Sequence, residues 1–170
     1  PDYNYFKRHL VLGSSSTPNQ SKYPASLLDY ALNVDRKLGL TVEYAWQALA
    51  NTNDPGVKAR IERFIKSTDF AREEWLACSY LCKTTVHDTK LQRAANEADY
   101  LAELAMMKQN LLKAKELSDK RTMIAKSNPA CGLYWDVLHG SVHCVYWNGH
   151  IKQWLEEVEA KEKIDFENIA

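Results

Sequence analysis

Five residues near the C-terminal third have types and spacing that can do chemistry: Asp136, His139, His143, Tyr146 and His150 recur at intervals of three and four. On an α-helix that spacing brings them to one face, and imidazoles at i and i+4 with a carboxylate one turn earlier can ligate a transition metal. Asp136, His139 and His143 are therefore the candidate metal ligands. The alternative is a polar face whose histidines bond locally or meet a partner.

The helix that must present this row is read from Ala130 to Val158. Leu133, Val137, Gly140, Cys144, Trp147, Ile151, Trp154 and Val158 form its apolar stripe, widened in the first half by Tyr134, Trp135, Leu138, Val142 and Val145. A helix apolar on most sides is shielded within a bundle or gives a face to a partner. Di-iron bundles need Glu-x-x-His on two helices, and no Glu-x-x-His occurs in this chain.

Three weaker motifs lie upstream. His87-Asp88 resembles the paired His-Asp of the all-helical, metal-dependent HD phosphohydrolases, which also use an earlier His and a later Asp; His9 and Asp99 are the residues present. Glu73 and Glu74 with Glu97 and Asp99 resemble the paired carboxylates that hold Mg²⁺ in all-helical nucleotide pyrophosphatases, although the spacing departs from Glu-x-x-Glu and Glu-x-x-Asp. Leu38-Gly39-Leu40-Thr41 resembles the turn of a helix-turn-helix DNA reader, but the helix after it carries Glu43 and no early Lys or Arg for phosphate. The plain readings are a capping Asp after a loop His, solvated helix faces, and a kink.

The remaining elements follow from periodicity and stop signals. Residues 1–23 have no sustained period, contain a Gly-Ser-Ser-Ser-Thr-Pro-Asn-Gln run, and form an irregular arm whose Tyr3, Tyr5 and Phe6 are expected to lie against the body or a partner. Leu27, Ala31, Val34 and Leu38 start a first helix that Gly39 interrupts. Thr41 caps a restart, and Val42, Ala45 and Leu49 carry it to Asn51, giving one kinked helix or two short ones. Asp54 caps a second helix with Pro55 in its first turn, and Val57, Ile61, Phe64, Thr68, Ala71, Trp75, Cys78 and Cys82 repeat at alternating fours and threes.

That helix is expected to end near Lys83, with Thr84-Thr85-Val86-His87 as a connection and Asp88 as the next cap. The third helix, to about Lys126, is then the longest, on the order of 55 Å, and its end projects. Its core side is expected to hold Ala94, Ala98, Leu101, Leu104, Ala105, Leu111 and Leu112. Its basic end, Lys113, Lys115, Lys120, Arg121 and Lys126, suits a helix C-terminus and can also meet nucleic acid or an acidic partner.

Together these readings predict an all-α chain: a four-helix, mainly antiparallel bundle over residues 24–160 with a kinked first helix and long third helix, the arm before it, and a polar tail over 161–170. The core is expected to centre on Phe64, Trp75, Leu101, Leu104, Trp147 and Ile151. The 22 basic and 22 acidic residues balance, so no global attraction to nucleic acid or anionic membrane is expected. No apolar run approaches the roughly 20 residues of a membrane span, and Cys78, Cys82, Cys131 and Cys144 read as buried free thiols of a cytoplasmic chain. No cofactor is expected. The leading functional expectation is a non-enzymatic interaction or assembly protein with a protein partner or its own copies, through Tyr3, Tyr5, Phe6, Trp135 and Tyr146. The alternatives are a nucleic-acid-associated accessory protein and a metal-dependent helical enzyme.

Overall fold

The computed structural model describes residues 27–127, 144–164 and 166, with the side chains of 27, 28, 30, 31, 78 and 144–150 outside the description. The described residues hold four helices and no strand: α1 (Leu27–Asn51), α2 (Pro55–Leu91), α3 (Glu97–Ser127) and α4 (Cys144–Lys161). The described part of the chain is all-helical, and its helices pack on one another, α1 on α2, α2 on α3 and α3 on α4. The expected arm, residues 1–23, lies outside the described residues.

α1 passes through Gly39 without a break. The glycine leaves room for Arg72: a Cβ there would lie 3.2 Å from Arg72 Nη2. The guanidinium crosses that gap to donate from Nε to Asp35 Oδ1 at 2.7 Å. Thr41 is an interior residue whose hydroxyl donates to the Lys37 carbonyl one turn back, so it caps no second helix. The expected turn start at Asp54 is present, because its Oδ1 accepts from the N–H groups of Gly56 and Val57 at 2.7 and 3.0 Å and Pro55 opens the helix.

α2 does not stop near Lys83. It runs to Leu91 and, at 37 residues against 31 for α3, is the longest of the described helices. The β-branched stretch stays helical because each hydroxyl has a partner within the helix. Thr84 donates to the Tyr80 carbonyl, Thr85 to that of Cys82 and Thr89 to that of Thr85. The propensity cost of such residues, a few tenths of a kcal/mol each, is smaller than the gain from burying Leu81 and Leu91 beside them. Asp88 is buried within α2 and accepts from Gln92 instead of capping α3. That cap falls to Asn96, whose Oδ1 accepts from the Asp99 N–H at 2.9 Å.

The core joins the second half of α2 to α3 and α4. Leu81 and Leu91 meet Tyr100, Leu104, Met107, Leu111 and Ala114, and Ile151, Trp154 and Val158 close the cluster from α4. Leu76, Ala77 and Leu117 extend it. Leu104 and Ile151 are buried as expected, but Phe64, Trp75 and Leu101 are exposed. On α3 Leu104 and Leu111 are inward as expected, but the buried face also includes Asn110, Ser118 and Arg121, and apolar spacing alone placed Ala98, Ala105 and Leu112 inward, where the structure exposes them. The Trp147 side chain lies outside the described residues.

Beyond α4, turn bonds reach Ile164, and Phe166 packs on Tyr100 with ring centroids 5.6 Å apart. Among the described residues no helix is long and apolar enough to cross a membrane.

Candidate functional site

The residues singled out for chemistry divide sharply. Tyr3, Tyr5, Phe6, Trp135, Asp136, His139 and His143 lie outside the described residues, and so does the side chain of Tyr146. Among the described residues no group of three or more His, Cys, Asp or Glu is placed to hold a metal ion.

The basic end of α3 is described, and most of its charge is already engaged. Lys113 and Lys120 both reach Glu116 at 2.8 Å, and Lys115 reaches Asp119 at 2.7 Å. Hydrogen bonds from Lys113 and Lys120 hold the Glu116 carboxyl down at about 2. Arg121 is fully buried: its Nη1 donates to Glu74 Oε2 at 2.6 Å and its Nη2 to Ser118 Oγ at 3.1 Å. Lys126 is exposed. With Arg121 and Ala125 buried close to Ser127, α3 does not end in the projecting basic arm that the sequence suggested. The reason is pairing at i, i+3 and i, i+4 together with a carboxylate from α2, which formal charge along the sequence does not reveal.

The upstream motifs dissolve in the same way. His87 Nδ1 lies 2.5 Å from Glu103 Oε2 on α3, whereas Asp88 bonds to Gln92 and lies 4.0 Å from Lys161 of α4, so the two neighbours point to different helices. Glu74 is bound to Arg121, and Glu97 and Asp99 begin α3, about 36 Å of helix away from Arg121. Those carboxylates do not converge. Burial pushes the Glu73 carboxyl up. Leu38–Thr41 lies inside α1 and forms no turn.

What the structure places on the surface is a different set. On α1, Tyr44 is 68% exposed and Trp46 is 54% exposed. On α2, Phe64 is 47% exposed and Trp75 is 41% exposed, with Ala71 exposed between them. Phe64, Ala71 and Trp75 belong to the seam of fours and threes that the sequence suggested as core. α1 instead packs on another face of α2, where Arg72 bonds to Asp35; Val42 of α1 and Ile65 of α2 are both buried.

Near the start of α2 stand exposed cations: Lys58, Arg60, Arg63 and Lys66 are held in no ion pair among the described residues, and Lys58 and Arg60 are the two that flank the seam. At about 100° per residue, the arc of α2 from Phe64 through Arg60 and Arg63 to Lys66 covers about 160°. Between Pro55 and Ala71 no carboxylate falls in that arc, and Glu62 and Asp69 lie outside it. The alternating spacing and the cation positions were both readable in the sequence. Which side of α2 its neighbours cover was not.

Comparison of the chain with protein-family models, with curated proteins and with solved structures returned no match. The arrangement offers no nucleophile paired with a base and no converging carboxylates among the described residues. What the described surface presents is large rings, a helical seam and cations without an ion pair among the described residues.

Proposed function

We propose that this chain is a non-enzymatic helical interaction or assembly protein that acts through protein–protein contacts. The supporting observation is the uncovered seam of α2, Phe64, Ala71 and Trp75, with Tyr44 and Trp46 of α1 exposed on the neighbouring helix. Scattered apolar side chains on a surface carry little meaning, but large aromatic residues at heptad spacing are what a second helix packs on.

The proposal includes a bundle of mainly antiparallel neighbours. The pairs Glu74–Arg121 and His87–Glu103 are in keeping with it for α2 and α3, because one partner advances as the other recedes. It also includes a cytoplasmic setting, which the free, buried thiol of Cys82 suits. Nucleic-acid binding at the end of α3 is the less favoured reading, since Lys113, Lys115, Lys120 and Arg121 already have acidic partners.

The test is the native mass of the purified chain across a concentration series, with proximity labelling in its own cells. Association, or a captured protein, that Phe64→Ser with Trp75→Ser abolishes without lowering the melting temperature supports the role. A monomer at high micromolar concentration with an unchanged labelling profile in that variant ends it.

A further inference from the structure

We infer that the outer side of α2 docks an amphipathic helix of another protein whose flanks are acidic. The inference rests on the interaction role proposed for the chain and names the chemistry of the partner.

The first ground is the spacing of the seam. Val57, Ile61, Phe64, Thr68, Ala71 and Trp75 alternate at fours and threes, the repeat at which two helices keep one seam in contact over several turns. Phe64 and Trp75 stand about 16 Å apart along α2, and the small Ala71 between them leaves a hole into which a knob of a facing helix fits. An extended strand, which repeats every second residue, does not match the intervals of three.

Charge supplies the second ground. Arg60 adjoins Phe64 at one edge of the seam with Arg63 beyond it, Lys58 stands at the other edge, and between Pro55 and Ala71 no carboxylate lies on the side from Phe64 to Arg63; Glu74, on that side near Trp75, is engaged by Arg121. Cations in α3 are neutralised within the fold, as at Lys113, Lys115 and Lys120. On α2 Arg72 is neutralised in the same way, whereas Arg60 and Arg63 have no carboxylate partner among the described residues. Glu or Asp at the flanking positions of a docked helix lies within reach of Arg60 and Arg63, as charges beside a coiled-coil seam do.

A single-stranded nucleic acid fits less well. Its bases need closely spaced stacking platforms, and here Thr68 and Ala71 separate two rings about 16 Å apart. The net charge of +0 also supplies no long-range attraction for phosphate.

The experiment uses the full chain and three fluorescein-labelled helical peptides of equal length. Each has leucine at heptad spacing, and the flanks are glutamate, glutamine or lysine. A labelled oligothymidine is the fourth probe. By anisotropy at physiological salt, the glutamate peptide is expected to bind about tenfold tighter than the glutamine peptide, and the lysine peptide more weakly than either.

The variant Arg60→Glu with Arg63→Glu removes no internal ion pair and is expected to fold, which its melting temperature checks. It should reverse the order, binding the lysine peptide best. Should it fail to fold, raised salt on the parent chain must erase the preference for glutamate over glutamine.

Equal binding of the glutamate and glutamine peptides overturns the acidic partner while leaving the interaction role standing. Binding of none of the three peptides, or tighter binding of oligothymidine than of the glutamate peptide, overturns the inference as well. The interaction role itself fails only on the native-mass and labelling result.

Discussion

Leu104 and Phe64 show how little a residue's type says about its energetic weight. Leu104 is buried between helices, and Leu104→Ala is expected to cost about 2–5 kcal/mol, the lost transfer energy plus a cavity. Phe64→Ser should stay within about 1 kcal/mol, because the ring is already half in water. Urea unfolding of both variants checks the contrast, and an equal loss would mean that the seam is core after all.

Arg121 is a fully buried charge that ties α3 to Glu74 of α2. Arg121→Met leaves the half-buried Glu74 without its cation and should cost about 3 kcal/mol, whereas the double change with Glu74→Leu should recover most of that loss. A double-mutant cycle measures the difference.

Cys82 carries a pH signature of its own. Burial pushes its thiol up from 9.0 to about 11. A raised folded value means that the stability is complete below about pH 9, where the unfolded thiol begins to ionise, and is lost as pH rises toward about 11. Cys82→Ala should lack that loss. Unfolding curves of parent and variant at about pH 8 and about pH 10 give the comparison, and parallel losses in both would exclude Cys82 as the source.

At the scale of the element, the decisive fact is that α2 continues through Thr84–Asp88. Thr84→Pro is expected to cost about 3 kcal/mol or more, since it removes a helix hydrogen bond and drives the ring into the preceding turn. A connecting loop at that position would tolerate proline. Circular dichroism with thermal melting separates the two outcomes. The continuity also fixes where the hairpin to α3 turns: Gln92–Asn96, with Asn96 as cap, instead of the region before Asp88.

For the whole molecule, the packing implies uneven stability. The buried clusters bind the second half of α2 to α3 and α4, while α1 and the start of α2 contribute Val42 and Ile65 as their buried hydrophobic residues. Native-state hydrogen exchange should therefore find the slowest amides around Leu81, Leu111 and Ile151 and faster exchange along α1 and residues 55–66. Uniform protection across all four helices would contradict this. A partner docked on the outer side of α2 should slow the faster set without altering the slow one.

Local chemistry by itself determined much of this protein. Helical periodicity gave the all-α class, Asp54 and Pro55 opened α2, and Leu104 and Ile151 were legible as core, because capping and 3.6-residue spacing act within a few residues. Three outcomes depended on contacts between helices. Gly39 became a slot for Arg72 instead of a break, Arg121 became a buried partner of Glu74 instead of a free cation, and the seam of Phe64, Ala71 and Trp75 came to face outward. Periodicity says that residues share a face of a helix. Which face is covered depends on where the neighbouring helices lie, and on α2 they leave Phe64, Ala71 and Trp75 exposed.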